Sequence, residues 1–331
     1  MNKSHYIIPI FVPHLGCPHN CVFCNQDTIT GSVKQVTPKE VKNTIESYLK
    51  TIKNRDATIE VSFFGGTFTA IEEKIQRELL EVAKDYKDRG FINQIHMSTR
   101  PDYINDYILS YLKEYSVDVI ELGVQSLDND VLKAAGRGHD ADIVVFASNL
   151  IKKYGIILGH QIMPGLPKSN FEKDLETARR SIEMEPDICR IYPALVIKDT
   201  PMEFMYNKGI YKPYTLEQAV QISSKIMEMY KEAGVNVIRA GLQPTDTINE
   251  GKDVIAGPFH PAFRELVEGY TLCNQIKEKL TGKSGTVKIN QRDLSKLYTN
   301  KKIYFNKLIE NGYRINVEVS DKIKRGNIII I

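Results

Sequence analysis

Thr58-Ile59-Glu60-Val61-Ser62-Phe63-Phe64-Gly65-Gly66-Thr67-Phe68 is a run of β-branched and aromatic residues that stops at a glycine pair, and an amphipathic stretch at 72–89 succeeds it. A short apolar run bounded by glycine reads as a strand, and apolar residues recurring three and four apart read as a helix. The same unit recurs on both sides. Further strands are expected at 6–12, 92–98, 118–124, 156–163, 187–192 and 235–239, with helices between them at 38–52, 103–114, 140–153, 170–185 and 215–233. Thr37-Pro38 is a helix-start signal for the first of these. About six strand-helix units in succession mean a parallel α/β sheet, either open and doubly wound or closed into a full or partial barrel. In both architectures ligands collect at the C-terminal ends of the strands, where the unusual residues of this chain fall.

Past residue 240 the alternation stops. Gln243-Pro244-Thr245 and Gly257-Pro258 are loop signals, 259–281 reads as a helix and 286–331 as a small α+β piece, so a boundary is expected near 245, giving domains 1–245 and 246–331. The 331 residues carry a net charge of only +3, but residues 271–331 hold 13 Lys/Arg against 5 Asp/Glu, while the rest holds 31 against 36. The C-terminal piece is basic on an acidic body. Apolar runs such as Tyr6 to Val12 are too short to span a bilayer, and the first residues lack a secretory pattern, so a cytoplasmic location is expected.

Five cysteines form no disulfide framework, because Cys189 and Cys273 stand alone while Cys17, Cys21 and Cys24 crowd into Gly16-Cys17-Pro18-His19-Asn20-Cys21-Val22-Phe23-Cys24. Three neighbouring thiolates repel one another unless a metal neutralises them. Zinc completed by His14, His19 or a distant residue is one reading. An iron-sulfur cluster with one iron left open is the other, and an open iron can bind a substrate.

This C-x3-C-x2-C spacing, with an aromatic residue before the last cysteine, resembles the cluster loop of the radical S-adenosylmethionine enzymes. The resemblance implies a partial (βα)6 TIM-like barrel of that type, with a small basic α+β extension at its C-terminal end. It also implies that Cys17, Cys21 and Cys24 hold a 4Fe-4S cluster that chelates S-adenosylmethionine. Reduction by a partner such as ferredoxin or flavodoxin would then cleave the cofactor to a 5′-deoxyadenosyl radical. Cofactor-binding residues carried over from the family are Phe23, the glycine motif Gly65-Gly66-Thr67, Ser98 and Arg100 after the third strand, Gln125 and Arg137 after the fourth, and Gln161 and Met163 at the fifth. Met163 also reads as core, and Tyr192 as either cavity-facing or an ordinary strand-end tyrosine.

Met97-Ser98-Thr99-Arg100-Pro101-Asp102 and Arg190-Ile191-Tyr192-Pro193-Ala194-Leu195-Val196-Ile197-Lys198-Asp199-Thr200-Pro201 are similar to the Elongator catalytic subunit, a tRNA-modifying enzyme. Glu121-Leu122-Gly123-Val124-Gln125-Ser126 resembles the oxygen-independent coproporphyrinogen oxidases. Two departures stand out. The Elongator subunit spaces its first two cysteines more widely, and residues 246–331 leave no room for its acetyl-transfer half. The resemblance therefore implies an RNA (tRNA) nucleoside as substrate, with a tetrapyrrole-like small molecule and a non-catalytic cluster or zinc protein as alternatives. Lys301, Lys302, Lys324 and Arg325, interleaved with Tyr298, Tyr304, Phe305 and Tyr313, could grip phosphates and stack bases, or could cover a small apolar core.

Overall fold

Alternation along each strand sorts two faces, and the apolar one is buried under helices. Val61, Phe63, Ile95, Met97, Ile120 and Leu122 have no exposed surface and share one core with the helix residues Leu79, Leu80, Leu109, Leu112 and Val144. Each such side chain contributes roughly 1.5–3 kcal/mol on burial. The computed structural model describes residues 5–12, 19–25, 35–54, 56–244, 249 and 252–331.

Seven parallel strands form the main sheet: β1 (His5–Val12), β2 (Thr58–Gly65), β3 (Gln94–Thr99), β4 (Val119–Gln125), β5 (Ile157–Ile162), β6 (Ile188–Ile191) and, beyond the two-residue β7 (Val196–Ile197), β8 (Asn236–Ala240). Every strand lies beside its predecessor in that series. A doubly wound sheet reverses its strand order at a switch point, so this order is that of a partial barrel. The crossovers are α1 (Pro38–Thr51), α2 (Glu73–Asp88), α3 (Asp106–Glu114), α4 (Asn129–Ala134), α5 (Ala141–Lys153), α6 (Phe171–Glu183), α7 (Pro201–Asn207) and α8 (Leu216–Glu232). Most begin on a side-chain cap. Thr37 and Glu40 form a reciprocal capping box, and Asn105, Asp128, Asp140, Asn170 and Thr200 each accept a backbone N–H of the first turn.

Three details differ from the sequence reading. The helix expected from 103 starts at Asp106, because Pro101–Tyr103 is a separate 3₁₀ turn and Asn105 caps α3. The strand expected from 92 starts at Gln94, since Asn93 uses its backbone and side chain to hold Ile59 at the neighbouring strand's start. The short helix α4 and the antiparallel pair of β7 with β9 (Val254–Ala256) are additional.

After β9 come α9 (Phe263–Lys279), β10 (Ser284–Ile289), α10 (Leu294–Leu297), α11 (Thr299–Glu310), β11 (Arg314–Val319) and β12 (Ile328–Ile330). β10 is the middle strand of a three-stranded sheet, parallel to β11 and antiparallel to β12. A second apolar core joins Val267 and Ile276 of α9, Val287, Leu308 and Ile328 to Ala219 and Val220 of α8. Tyr304, Phe305 and Tyr313 are buried in it, with Tyr304 packed edge-on against Tyr270 and Phe305 against Tyr298. These three rings are therefore core, and the base-stacking surface expected from the interleaved aromatics does not form. Among the described residues no helix is long and apolar enough to cross a membrane.

Candidate active site

The segment after β1 is pinned from two sides. Val22 donates its N–H to the Ala135 carbonyl (3.0 Å) at the end of α4, and its carbonyl accepts from Met202 N (2.8 Å) in α7. Asn25 donates to the Lys198 carbonyl (2.8 Å). Val22 and Phe23 pack against a small apolar cluster that holds Val131, Ala135, Met163 and Met202. Cys21 is buried and Cys24 half-buried, while Cys17 and His14 lie outside the described residues.

Two guanidinium groups converge on Cys21. Arg137 Nη1 is 3.5 Å and Arg100 Nη1 3.8 Å from its Sγ. Both arginines are nearly inaccessible, at 5% and 3% exposure. Arg100 holds Asp102 through Nε (2.9 Å) and Nη2 (2.8 Å), and Nη2 also donates to the Arg137 carbonyl. Arg137 Nη2 donates to the Gly123 carbonyl (2.5 Å), and its buried Nε has no hydrogen-bond partner among the described residues. Burial works to raise the Asp102 pKa, but the hydrogen bonds and charge of Arg100 outweigh it and hold the carboxyl below its ordinary value. Burial, then Arg137, drives His139 down to about 4, and burial, then Arg100, lowers His19.

The other expected residues sit at the same strand ends. Gly66 N donates to the Val12 carbonyl (2.8 Å), placing the glycine motif at the root of the cysteine loop; Thr67 is buried beside it. Gln125 occupies the left-handed region (φ +65°) after a bulge in β4, a conformation that costs a non-glycine residue about 1–3 kcal/mol. Its carbonyl accepts from Met163 N (2.8 Å) and its side-chain oxygen from Gln161 Nε2 (3.1 Å). A Cβ on Gly123 would lie 2.9 Å from Gln125 Nε2 and 3.5 Å from Arg137 Nη2, so the bare glycine leaves both side chains their places. Met163 is both core and rim: its side chain packs on the apolar cluster that backs Phe23.

Ser98 lies deeper, 3.5 Å from Glu121 Oε1, and belongs to a polar floor inside the barrel. Across β1 to β4 this floor runs His5, Glu60, His96 and Glu121, with His5 Nε2 3.0 Å and His96 Nδ1 2.7 Å from Glu60. Burial raises the Glu60 pKa, but the hydrogen bond and charge of His96, with the Ser62 hydroxyl, bring it to about 2. Glu121 then accepts from Arg190 Nε (2.6 Å) across the intervening strand β5. That reach needs Gly159, where a Cβ would stand 3.2 Å from Glu121 Cβ and Cγ and 3.0 Å from Ile188 Cγ1. Arg190 Nη1 donates to Tyr192 Oη (3.1 Å), and its guanidinium lies 4.9 Å from the Phe64 ring centroid. His96 Nε2 is buried without a hydrogen bond, 3.9 Å from Glu121 Oε2.

Asp102, Glu60, His96, Glu121, Gly159 and Arg190 were not singled out by the sequence reading. Asp102, Glu121 and Arg190 lie inside motifs quoted there, but no role was attached to them. Cys189 and Cys273 are isolated; burial pushes the first thiol far up and the second up to about 12. Among the described residues no group of three His, Cys, Asp or Glu could hold a metal ion.

The strand ends of this parallel partial barrel gather Cys21, two buried arginines and a glutamine pair, and sequence comparison gives the class. Residues 11–180 match the Radical SAM superfamily and residues 186–271 the radical SAM C-terminal domain, so the chain belongs to the radical S-adenosylmethionine superfamily of enzymes. It is 28% identical over 257 residues to a tRNA uridine(34) acetyltransferase of Methanocaldococcus infernus, covering 66% of this chain and 48% of that one. It is also 31% identical over 225 residues to an uncharacterized protein of Methanocaldococcus jannaschii, covering 65% and 69%. The chain thus spans about half the length of the acetyltransferase it matches. Elp3 of Methanocaldococcus infernus, with residues 1–46 deleted, shares the fold at a TM-score of 0.64 and 23% identity, covering 84% of this chain and 63% of that one.

Proposed function

We propose that this enzyme reductively cleaves S-adenosylmethionine at a 4Fe-4S cluster held by Cys17, Cys21 and Cys24, and uses the product to modify an RNA (tRNA) nucleoside. The observation that carries the first half is the convergence of two buried guanidiniums on Cys21. Two buried guanidiniums beside the sulfur suit a metal-bound thiolate. Bound there, cluster and cofactor supply one-electron cleavage of a sulfonium to a 5′-deoxyadenosyl radical that takes hydrogen from the substrate.

The chain's own residues position and shield. Val22 and Phe23, tied to α4 and α7, hold the cysteine loop over the barrel mouth. Gly65, Gly66 and Thr67 offer backbone close to the loop, and Gln125 with Gln161 offers amide groups for ribose hydroxyls. Arg137 contributes charge at the same place. Below them, Ser98, Tyr192 and the Glu121–Arg190 pair give a substrate both donors and acceptors, while Phe64 supplies an apolar wall.

The RNA half is supported by the names of the acetyltransferase relatives and by cations at the C-terminal end. Lys288, Lys296 and Lys307 are spent on Glu318, Glu268 and Glu217, whereas Lys301, Lys302, Lys324 and Arg325 are exposed and make no ion pair among the described residues. The reductant would be a small electron carrier such as ferredoxin or flavodoxin. Anaerobic reconstitution should load about four irons. Reduced protein should then release methionine and 5′-deoxyadenosine from S-adenosylmethionine, and mass spectrometry of incubated tRNA should find an altered nucleoside. Stoichiometric zinc without iron uptake would sink the cluster assignment. Turnover on a tetrapyrrole with no change in any RNA would move the substrate to the small-molecule class.

A further inference from the structure

Arg100 and Arg137, carried over above as cofactor-binding residues, each direct an N–H at the Cys21 sulfur. Resting on the cluster reading above, we propose that Arg137 and Arg100 are positioning residues that raise the reduction potential of the cluster through Cys21. The physical reason is charge. Reduction adds an electron whose density spreads onto the thiolate sulfurs, and N–H donors and positive charge beside one sulfur stabilise that reduced state more than the oxidised one.

The geometry leaves the guanidiniums little freedom to do otherwise. Arg100 is clamped by both oxygens of Asp102 and by the Arg137 carbonyl, and Arg137 by the Gly123 carbonyl. Each fork therefore keeps Nη1 for the sulfur, at 3.8 and 3.5 Å. A lysine could bring charge but not this fixed fork, because its single ammonium cannot hold a carbonyl and face a sulfur in one plane.

The test is a potentiometric titration of anaerobically reconstituted protein without S-adenosylmethionine, read by the electron paramagnetic resonance of the reduced cluster. Arg137→Gln keeps side-chain N–H groups and deletes the charge; Arg137→Lys keeps the charge and deletes the fork. The Gln variant should load its full iron and show a more negative midpoint, with the Lys variant between it and the unaltered protein. Arg100→Gln should shift the midpoint the same way. A second measurement needs no variant. Protein carrying ¹⁵N in its arginine side chains should show ¹⁵N coupling to the reduced cluster by electron-nuclear double resonance.

Unmoved midpoints in Arg137→Gln and Arg100→Gln, or no ¹⁵N coupling in the unaltered protein, overturn the proposal and leave the cluster assignment standing. If the variants lose their cluster, the ¹⁵N measurement decides alone. Protein that takes up no iron defeats the cluster assignment, and this inference with it.

Discussion

Gly159→Ala is the sharpest probe of the barrel floor. The added methyl would lie 3.0 Å from Ile188 Cγ1 and 3.2 Å from Glu121 Cβ and Cγ, tighter than most side-chain contacts, on a strand paired on both sides. Overpacking of this kind costs about 1–3 kcal/mol. The atom best able to yield is Glu121 Cγ, and its yielding strains the 2.6 Å contact with Arg190. Glu121→Ala alone leaves Arg190 buried without its carboxylate, at about 3–5 kcal/mol. In that background the Cγ is gone while Ile188 Cγ1 and the Cβ of residue 121 remain, so Gly159→Ala should cost less than it does alone by more than about 0.5 kcal/mol, a coupling expected only of residues in contact. The chain has no tryptophan, so urea unfolding is best followed by far-ultraviolet circular dichroism and by the fluorescence of its 17 tyrosines. Costs that add to within about 0.5 kcal/mol would refute the idea that Gly159 makes room for this ion pair.

Asp174 offers a pH signature. Burial raises its pKa from 3.8 to about 6 despite hydrogen bonds from Ser169, Tyr214 and Gly165, so the folded state holds its proton where the unfolded chain has lost it. Stability relative to Asp174→Asn should therefore fall as pH rises from about 4 to about 6, and a flat difference across that window in paired denaturation curves would contradict it. Cys17→Ala, Cys21→Ala and Cys24→Ala should each abolish iron loading, whereas Cys189→Ala and Cys273→Ala should keep it, as read by iron analysis and the cluster's absorbance. Reversing charge at Lys301, Lys302, Lys324 and Arg325 should weaken tRNA binding and flatten its salt dependence while cofactor cleavage continues; binding that ignores both salt and charge would remove the C-terminal piece from RNA recognition.

The seven strands and most crossover helices were legible because hydrophobic period and glycine or cap residues mark them locally, and errors stayed at ends such as Asn93 and Asn105 where a side chain replaces a backbone bond. The gathering of Arg137, Gln125 and Gln161 at one rim was also legible, since residues just after successive parallel strands must converge. The floor was not. Glu121 and Arg190 are 69 residues apart and meet across a strand whose only contribution is the absence of a side chain, which no local pattern announces. The tail rings misled for a related reason. Tyr304 and Tyr313 look like an exposed basic-aromatic stripe until α9 and α8 are known to cover them, and that packing joins residues nearly a hundred positions apart.

The tethering of Val22 has a consequence for the order in which this enzyme is made. Its loop begins near the start of the chain, yet its two backbone partners, Ala135 and Met202, lie more than a hundred residues later. A local C-x2-C knuckle can close around metal as soon as it is synthesised. Here the cysteine segment has no fixed place until the fourth and sixth strand-helix units have folded, and long-range contacts of that kind form late. On the cluster reading proposed above, iron-sulfur loading would be the closing event of barrel assembly, and a nascent chain halted before Met202 should carry its cysteines without holding a stable cluster.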